Sequence, residues 1–256
     1  MKKTYQQIYD SSIQNRENFW REVAEEVFWY KKPTKILNSS NPPFFKWYED
    51  GVTNTCYNAV DFHIDNGKGE KIAIIYDSPI TGVSKKITYN ELREKVSLFA
   101  GALVKQGVKK GDRVIIYMPM IPEAVVAMLA CGRIGAIHSV VFGGFAANEL
   151  ASRIDDSKAK IIVSASCGFE PGRVVEYKPL LNKALQLSNH KPSRCIIFQR
   201  DKNECTLDPK KDISWDEAHK NVKPQECVEM NANDYAYILY TSGTTGLPKG
   251  IVRDIG

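Results

Sequence analysis

The sequence contains one stretch rich in glycine and hydroxyl residues, Tyr240-Thr241-Ser242-Gly243-Thr244-Thr245-Gly246-Leu247-Pro248-Lys249-Gly250. Glycines let a backbone turn with positive φ and approach a bulky ligand closely, and hydroxyl groups can donate hydrogen bonds to phosphate oxygens. A flexible surface loop is the alternative, but the apolar run before the stretch and the Pro-Lys-Gly at its end favour a phosphate site. The predicted phosphate-binding residues are Thr241, Ser242, Gly243, Thr244, Thr245, Gly246 and Lys249.

Two other nucleotide-binding motifs are absent from the sequence. A Walker A loop has Gly, four residues and then Gly-Lys-Ser/Thr, whereas Pro248 precedes Lys249 here and Gly250 follows it. The Gly-x-Gly-x-x-Gly fingerprint of dinucleotide-binding folds does not occur either. The sequence therefore disfavours both a P-loop kinase and a dinucleotide-dependent dehydrogenase.

Strand and helix patterns alternate from residue 61 to the glycine-rich stretch. The predicted strands are Lys71–Tyr76, Lys86–Tyr89, Arg113–Tyr117, Ala136–Val141, Ile161–Ala165, Arg194–Phe198 and Tyr235–Tyr240. The predicted helices are Asn90–Lys105, Pro122–Arg133, Asn148–Asp155 and Pro179–Leu187. Such alternation predicts an α/β fold with a mostly parallel sheet flanked by helices. Ligands of these sheets bind beyond the carboxyl ends of strands, where the stretch after Tyr240 lies.

Residues 1–60 have a different character. Apolar and aromatic residues between Tyr5 and Tyr30 recur near helical spacing, which predicts a helical arm. The proline-containing stretch Asn38–Pro43 interrupts the pattern, and an aromatic cluster follows it. We interpret this part as an N-terminal extension that docks through aromatic side chains, and residues 61–256 as a separate domain.

Composition excludes several classes of protein. The 256 residues are 43% hydrophobic, enough for a real core, and the net charge of +5 is spread among acids without the basic stripe of a nucleic-acid binder. The six cysteines and four histidines show no metal-ligand spacing, which predicts reduced thiols and no protein metal site. No apolar run reaches the roughly 20 residues of a membrane span. We expect a cytoplasmic protein, and the sequence leaves its oligomeric state open.

The glycine-rich stretch resembles the phosphate motif of the adenylate-forming enzymes, which include acyl-CoA synthetases, luciferases and peptide-synthetase adenylation domains. The segments Asp112–Pro119 and Gly135–Phe145 are similar to strand-helix units of acetyl- and propionyl-CoA synthetases, and residues 1–60 resemble their N-terminal extension. The resemblance implies that residues 61–256 form the first part of an AMP-binding domain, truncated after the phosphate loop.

The resemblance implies an ATP-dependent ligation of a short-chain carboxylate to CoA, with Mg²⁺ as cofactor. Thr241–Thr245 and Lys249 would bind the phosphates of ATP, and Glu170, Pro171, Gly172 and Arg173 lie where the family binds CoA. The sequence alone leaves open that Arg173 is an ordinary surface arginine. No protein nucleophile is required, and the adenylation lysine of the family lies beyond the end of this chain.

Two features of the sequence favour propionate over acetate as the substrate. Residues Ile251-Val252-Arg253-Asp254 resemble propionyl-CoA synthetases, and acetyl-CoA synthetases tend to have Arg-Gly-Gly-Lys where this chain has Glu170–Arg173. An acetate-preferring enzyme is the alternative, because one methylene changes affinity by only about 1–3 kcal/mol.

The missing second half of the family's sheet leads to two further expectations. The 256 residues alone would be inactive, and the sheet edge near Tyr235–Tyr240 would be exposed and prone to aggregate. A nucleotide-binding module without catalysis is the alternative from another functional class. A nucleic-acid binder lacks both a basic stripe and an aromatic platform.

Overall fold

A computed structural model describes residues 4–241 and 248–256. The helices are α1 (Tyr5–Gln14), α2 (Arg16–Ala24), α3 (Tyr89–Lys105), α4 (Pro122–Arg133), α5 (Ala147–Ser157), α6 (Tyr177–Leu187) and α7 (Trp215–His219). The strands are β1 (Leu37–Asn38), β2 (Lys46–Trp47), β3 (Val52–Thr53), β4 (Ile72–Ser78), β5 (Val83–Thr88), β6 (Arg113–Met118), β7 (Ile137–Phe142), β8 (Ile161–Ala165), β9 (Cys167–Glu170), β10 (Arg173–Glu176), β11 (Arg194–Phe198), β12 (Asp212–Ser214), β13 (Met230–Asn231), β14 (Tyr235–Thr241) and β15 (Lys249–Asp254). Two π-helical segments, Tyr57–Asp61 and Ile64–Lys68, precede β4.

The chain divides into two units, of which the first contains 4–54, 229–234 and 254–256. Its helix α1 begins at a capping box, because the Thr4 hydroxyl accepts from the Gln7 backbone N–H while the Gln7 side chain accepts from the Thr4 N–H. The predicted helical arm over Tyr5–Tyr30 is wrong beyond Ala24. The Tyr30 N–H instead donates to the Val52 carbonyl, so pairing with β3 holds the chain extended there.

Aromatic contacts hold the first unit together. The rings of Trp20 and Trp47 lie 5.9 Å apart, and those of Trp29 and Tyr48 lie 5.4 Å apart. A Cβ atom at Gly51 would come within 2.7 Å of the Trp29 ring, so this contact requires glycine. No side chain of α1 is buried.

The second unit contains 55–228, 235–241 and 248–253. Its sheet has the strand order β12-β11-β8-β6-β7-β14-β15, and the pairs from β12 to β14 are all parallel. Every residue of β8 and all of β6 after Arg113 are buried, as expected for central strands covered on both faces. The predicted α/β fold with a mostly parallel sheet is confirmed.

Local signals explain where the helices of the second unit begin and end. Thr88 and Glu91 form a capping box at the start of α3, and Gly107, with φ of +85°, follows its end. Pro122 occupies the first turn of α4, where its missing N–H has no cost. The two strands predicted before α3, Lys71–Tyr76 and Lys86–Tyr89, correspond to β4 and β5, which form an antiparallel pair.

The prediction of an exposed edge at Tyr235–Tyr240 is wrong. Strand β14 lies between β7 and β15, so residues of Lys249–Asp254 cover the side that the sequence leaves open. A strand that follows the glycine-rich stretch was not predicted, because its apolar run, Ile251–Val252, is too short to indicate one. None of the helices in the described parts of the chain has the length and apolar content of a bilayer-crossing segment.

Candidate functional site

The glycine-rich stretch begins at the carboxyl edge of the parallel sheet. Tyr237 of β14 pairs with His138 of β7, and both strands end four residues later, at Thr241 and Phe142. The stretch therefore starts beside the end of β7. Of the predicted phosphate-binding residues, Ser242, Gly243, Thr244, Thr245 and Gly246 lie outside the described residues, and Thr241 and Lys249 lie within them.

Contacts with α5 hold the strand that leads into the stretch. The Tyr240 hydroxyl donates to Asp156 Oδ2 at 2.7 Å. The guanidinium of Arg153 lies 5.2 Å from the ring centroids of both Tyr240 and Phe145, a cation–π distance. Burial, with a smaller contribution from the hydrogen bond to Asp156, raises the pKa of Tyr240 well above its usual value. The phenol is therefore protonated at neutral pH and can donate its hydrogen bond to Asp156.

The strand that leaves the stretch is held by a close approach at Gly250. A Cβ atom there would lie 3.2 Å from Asp156 Oδ2 and 3.2 Å from the Tyr240 ring, so a larger residue would push β15 away from the Tyr240–Asp156 contact. The preceding residue, Lys249, is exposed, and its side chain has no hydrogen-bond or ion-pair partner within 4–241 and 248–256.

The predicted CoA-binding residues form the tip of the β9–β10 hairpin. Glu170 and Arg173 are directly paired across it, with Pro171 and Gly172 as its turn and a φ of +74° at Gly172. The Arg173 guanidinium donates to Glu170 Oε2 through Nε at 2.7 Å and approaches it through Nη2 at 2.6 Å. The structure therefore brings these four residues together. It places Arg173, the cation predicted to bind CoA, in an exposed ion pair with Glu170.

A cavity of about 320 Å³ opens at the same carboxyl edge. Chain segments that follow β6, β7 and β8 line it, represented by Met120, Gly143 and Phe169, and Glu170 is part of its wall. From β6 the chain proceeds to β7 on one side, and from β8 it proceeds to β11 on the other. The cavity thus lies where strand order reverses, which is the usual ligand position in open α/β sheets.

Two glycines and a buried tyrosine shape this cavity. Added Cβ atoms at Gly143 and Gly168 would come within 2.2 and 2.5 Å of the Tyr177 hydroxyl oxygen, so both positions require glycine. The Tyr177 ring packs 5.0 Å from that of Tyr117. Burial, with a smaller contribution from Tyr117, raises the pKa of Tyr177 to about 12. Tyr177 therefore contributes an uncharged phenol to the wall of the cavity at neutral pH.

Residues 62–256 match the family model described as AMP-binding enzyme. The chain belongs to the AMP-binding enzyme family. A second model, described as acetyl-coenzyme A synthetase N-terminus, matches residues 5–59 of this AMP-binding enzyme.

Several relatives of the chain are named as acyl-CoA synthetases. The human protein named acyl-CoA synthetase short-chain family member 3, mitochondrial, is 53% identical over 253 residues, which cover 98% of this chain and 37% of the human protein. Acetyl-coenzyme A synthetase of Streptomyces coelicolor is 42% identical over 251 residues, covering 98% of this chain and 38% of that protein. The chain thus spans under two fifths of the length of these relatives.

A solved structure supports the fold of the AMP-binding enzyme. Acetoacetyl-CoA synthetase from Streptomyces lividans superposes with a TM-score of 0.87 at 23% identity, covering 100% of this chain and 39% of that one. At this level of sequence identity, the structural similarity shows a shared fold alone.

Arg200 was not predicted from the sequence as a residue of the candidate site. Arg200 follows β11, lines the cavity and lies 4.7 Å from the centroid of the Phe169 ring. No motif marks it, and an arginine in a polar stretch looks like any surface residue. The Gly143–Gly144 pair was a usable signal for the cavity, because adjacent glycines after a strand indicate close packing or a ligand.

Proposed function

We propose that a protein carrying this chain is an AMP-forming acyl-CoA synthetase that activates a short-chain carboxylate, with propionate preferred over acetate. The principal support is that the glycine-rich stretch and the cavity beside Glu170 open at the same carboxyl edge of one parallel sheet. Such an edge suits a reaction that brings a nucleotide and a second large substrate together.

In the proposed first half-reaction, the carboxylate attacks the α-phosphate of ATP and pyrophosphate leaves. This step brings two anions together, so positive charge must offset their repulsion. Lys249, exposed and without a described ion-pair partner, supplies one charge, and Thr241 supplies a hydroxyl donor. In the second half-reaction the CoA thiol displaces AMP from the acyl-AMP. Neither step needs a nucleophile from the chain.

The family cofactor Mg²⁺ would neutralise charge on the ATP phosphates. We assign it no protein carboxylate; the carboxylate of Glu170 is paired with Arg173, and that of Asp156 accepts from Tyr240. Phosphate oxygens would supply its ligands, which agrees with the preference of Mg²⁺ for phosphates and water.

For CoA, we propose that Arg173 and Arg200 both contact phosphate groups. Arg200 lies in the cavity wall, while the exposed Arg173 must first loosen its contacts with Glu170. A guanidinium suits phosphate because its fixed donors bind two oxygens at once. The planar Phe169 beneath Arg200 would keep that guanidinium facing the cavity.

The test is pyrophosphate exchange in a polypeptide that carries this chain together with the rest of the relatives' length. Acetate, propionate and butyrate would be compared at equal concentration, followed by acyl-CoA formation. We expect exchange with each acid and a kcat/KM highest for propionate. A higher value for acetate would refute the propionate preference, and exchange with none would refute the synthetase.

The 256-residue chain itself offers a second test. We expect it to bind ATP in isothermal titration without turning over ATP, propionate and CoA. Propionyl-CoA formed by the chain alone would overturn the predicted inactivity. ATP binding by a longer polypeptide that never catalyses exchange would favour the alternative of a nucleotide-binding module.

Two further predictions remain with this proposal. We propose that residues 1–60 act as an extension and 61–256 as the first part of the AMP-binding domain. We also propose a cytoplasmic location, although the human relative bears the word mitochondrial in its name. Cell fractionation checks the location, and enrichment with mitochondria would contradict it.

A further inference from the structure

Two cysteines that are 171 residues apart in sequence meet inside the second unit. Cys56 immediately precedes the π-helical segment Tyr57–Asp61, and Cys227 lies in residues 222–229, which form no helix or strand. The two sulfur atoms and an Asp61 carboxylate oxygen all lie within 4.8 Å of one another. Cys56 is fully buried, whereas Cys227 is partly exposed.

A buried arginine organises this group. Arg133 Nη1 lies 3.7 Å from Cys56 Sγ and 2.7 Å from Asp61 Oδ2. The same arginine anchors the segment of Cys227, because its carbonyl accepts from the Val228 N–H at 2.9 Å. The Cys227 thiol donates to Asp61 Oδ2 at 3.7 Å. The positive guanidinium therefore faces both the carboxylate and a sulfur atom.

The two thiols differ electrostatically from the other four cysteines. A hydrogen bond with Cys227, opposed by burial and assisted by the charge of Arg133, lowers the pKa of Cys56. The pKa of Cys227 is raised, through the same hydrogen bond and through burial. Burial raises the pKa of the remaining thiols, to about 12 for Cys131 and Cys195, and in Cys167 and Cys205 as well. A thiol whose pKa is lowered reacts more readily with oxidants, and a second thiol beside it can complete a disulfide.

We propose that Cys56 and Cys227 are a reversible modification site that a hydroperoxide converts into a disulfide. The Cys56 sulfur attacks the peroxide, an S–O bond forms as the O–O bond breaks, and an alcohol or water leaves with the Cys56 sulfenic acid in place. The Cys227 sulfur then attacks that sulfur, an S–S bond forms, and the hydroxyl leaves as water with the Cys227 proton. Two thiols and one hydroperoxide thus give a disulfide, an alcohol or water, and one water.

The geometry allows this reaction and disfavours a metal ion. The two sulfur atoms lie within 4.8 Å of each other and must approach to about 2.05 Å to form the disulfide. Cys227 is partly exposed, so this side of the pair is the one nearer to solvent. A divalent cation would need Asp61 as its third ligand, but both carboxylate oxygens already accept from Arg133, whose charge repels a cation.

The experiment treats the folded protein with a tenfold excess of hydrogen peroxide, alkylates free thiols and maps peptides without reduction. We expect a disulfide between the peptides of Cys56 and Cys227, two fewer free thiols of the six, and recovery with dithiothreitol. Cys227→Ser and Cys56→Ser should abolish the linkage. Cys205→Ser, which removes the other partly exposed thiol, should keep it, and the Cys227 thiol should disappear at least tenfold faster than that of Cys205.

Either of two outcomes would overturn the proposal. One is oxidation of Cys227 to a sulfinic acid while Cys56 stays a free thiol in the wild-type protein. The other is a metal site, measured by adding Zn²⁺ alone against a chromophoric chelator. One tightly held zinc per chain that Cys227→Ser releases, with no disulfide under peroxide, would identify the group as a zinc site instead.

Discussion

Replacing Asp61 with asparagine would leave the Arg133 guanidinium buried without its carboxylate. Nη1 and Nη2 of Arg133 donate to the two carboxylate oxygens at 2.7 and 3.0 Å, and the two side chains are only 2% and 9% exposed. The nearest other acid, Glu226, lies 3.7 Å from Nη2 but is 95% exposed. Water screens such an exposed charge, so Glu226 cannot replace the lost partner. Removing one partner of a buried pair costs about 3–5 kcal/mol, and we expect Asp61→Asn to lower the free energy of unfolding by that amount.

Urea unfolding at neutral pH, followed by circular dichroism, measures this change. The matched control is Glu170→Gln, which breaks the exposed pair with Arg173 and should cost less than about 1 kcal/mol. A double variant, Asp61→Asn with Arg133→Met, removes both buried charges. It should recover most of the loss, because buried ion pairs are often no more stabilising than the apolar groups that replace them.

Two outcomes would contradict the explanation by an unpaired buried charge. If Asp61→Asn cost as little as the exposed control, burial would not strengthen the dependence of Arg133 on its carboxylate. If the double variant were less stable than Asp61→Asn, the loss would come from packing around Arg133 and not from an unpaired charge.

Three further predictions concern the site and the pH dependence of stability. Lys249→Met should slow propionate-dependent pyrophosphate exchange about 10- to 150-fold, the equivalent of 1.5–3 kcal/mol for one charged hydrogen bond. The surface control, Lys220→Met, should leave the exchange rate unchanged. If Lys249→Met exchanged pyrophosphate as fast as this control, Lys249 would not belong to the site. Arg200→Ala should raise the KM for CoA about tenfold or more and Arg173→Ala should raise it less, and an unchanged KM in Arg200→Ala would contradict the proposed contact. Burial lowers the pKa of His138 to about 4, so the unfolded chain binds the extra proton first as pH falls from about 6.5. Stability should therefore fall by up to about 3 kcal/mol between pH 6.5 and 4, and a pH profile in which His138→Gln matches the wild type would refute this.

Elements with strong local signals were predictable from the sequence. The bounds predicted for α4, β8 and β11 agree with the structure at every residue. Proline at the start of α4 and short, mostly apolar runs in the two strands mark these bounds without tertiary information. The carboxyl-edge position of the glycine-rich stretch was predictable for the same reason, because β14 reads as an apolar strand.

Features that depend on contacts between distant residues were not predictable. Strand β15 carries only a weak pattern, and in the sheet it lies beside β14, with Gly250 close to Asp156. Arg200 becomes a cavity residue only because β11 ends near the β9–β10 hairpin. Cys56 and Cys227 meet only because one segment packs against Arg133. Propensity and periodicity describe neighbours in sequence, and these contacts span tens to hundreds of residues.

The ion pair at the hairpin tip affects how the proposed enzyme would bind a phosphate group of its substrate. Arg173 is bonded to Glu170, and Glu170 also lines the cavity. A phosphate that approached the cavity would therefore meet a carboxylate as well as two guanidinium groups, and would gain from Arg173 only by displacing Glu170. An exposed pair of this kind is worth less than about 1 kcal/mol, whereas a charged hydrogen bond to phosphate is worth about 1.5–3 kcal/mol. The exchange of Glu170 for a phosphate at Arg173 is thus favourable once a phosphate arrives.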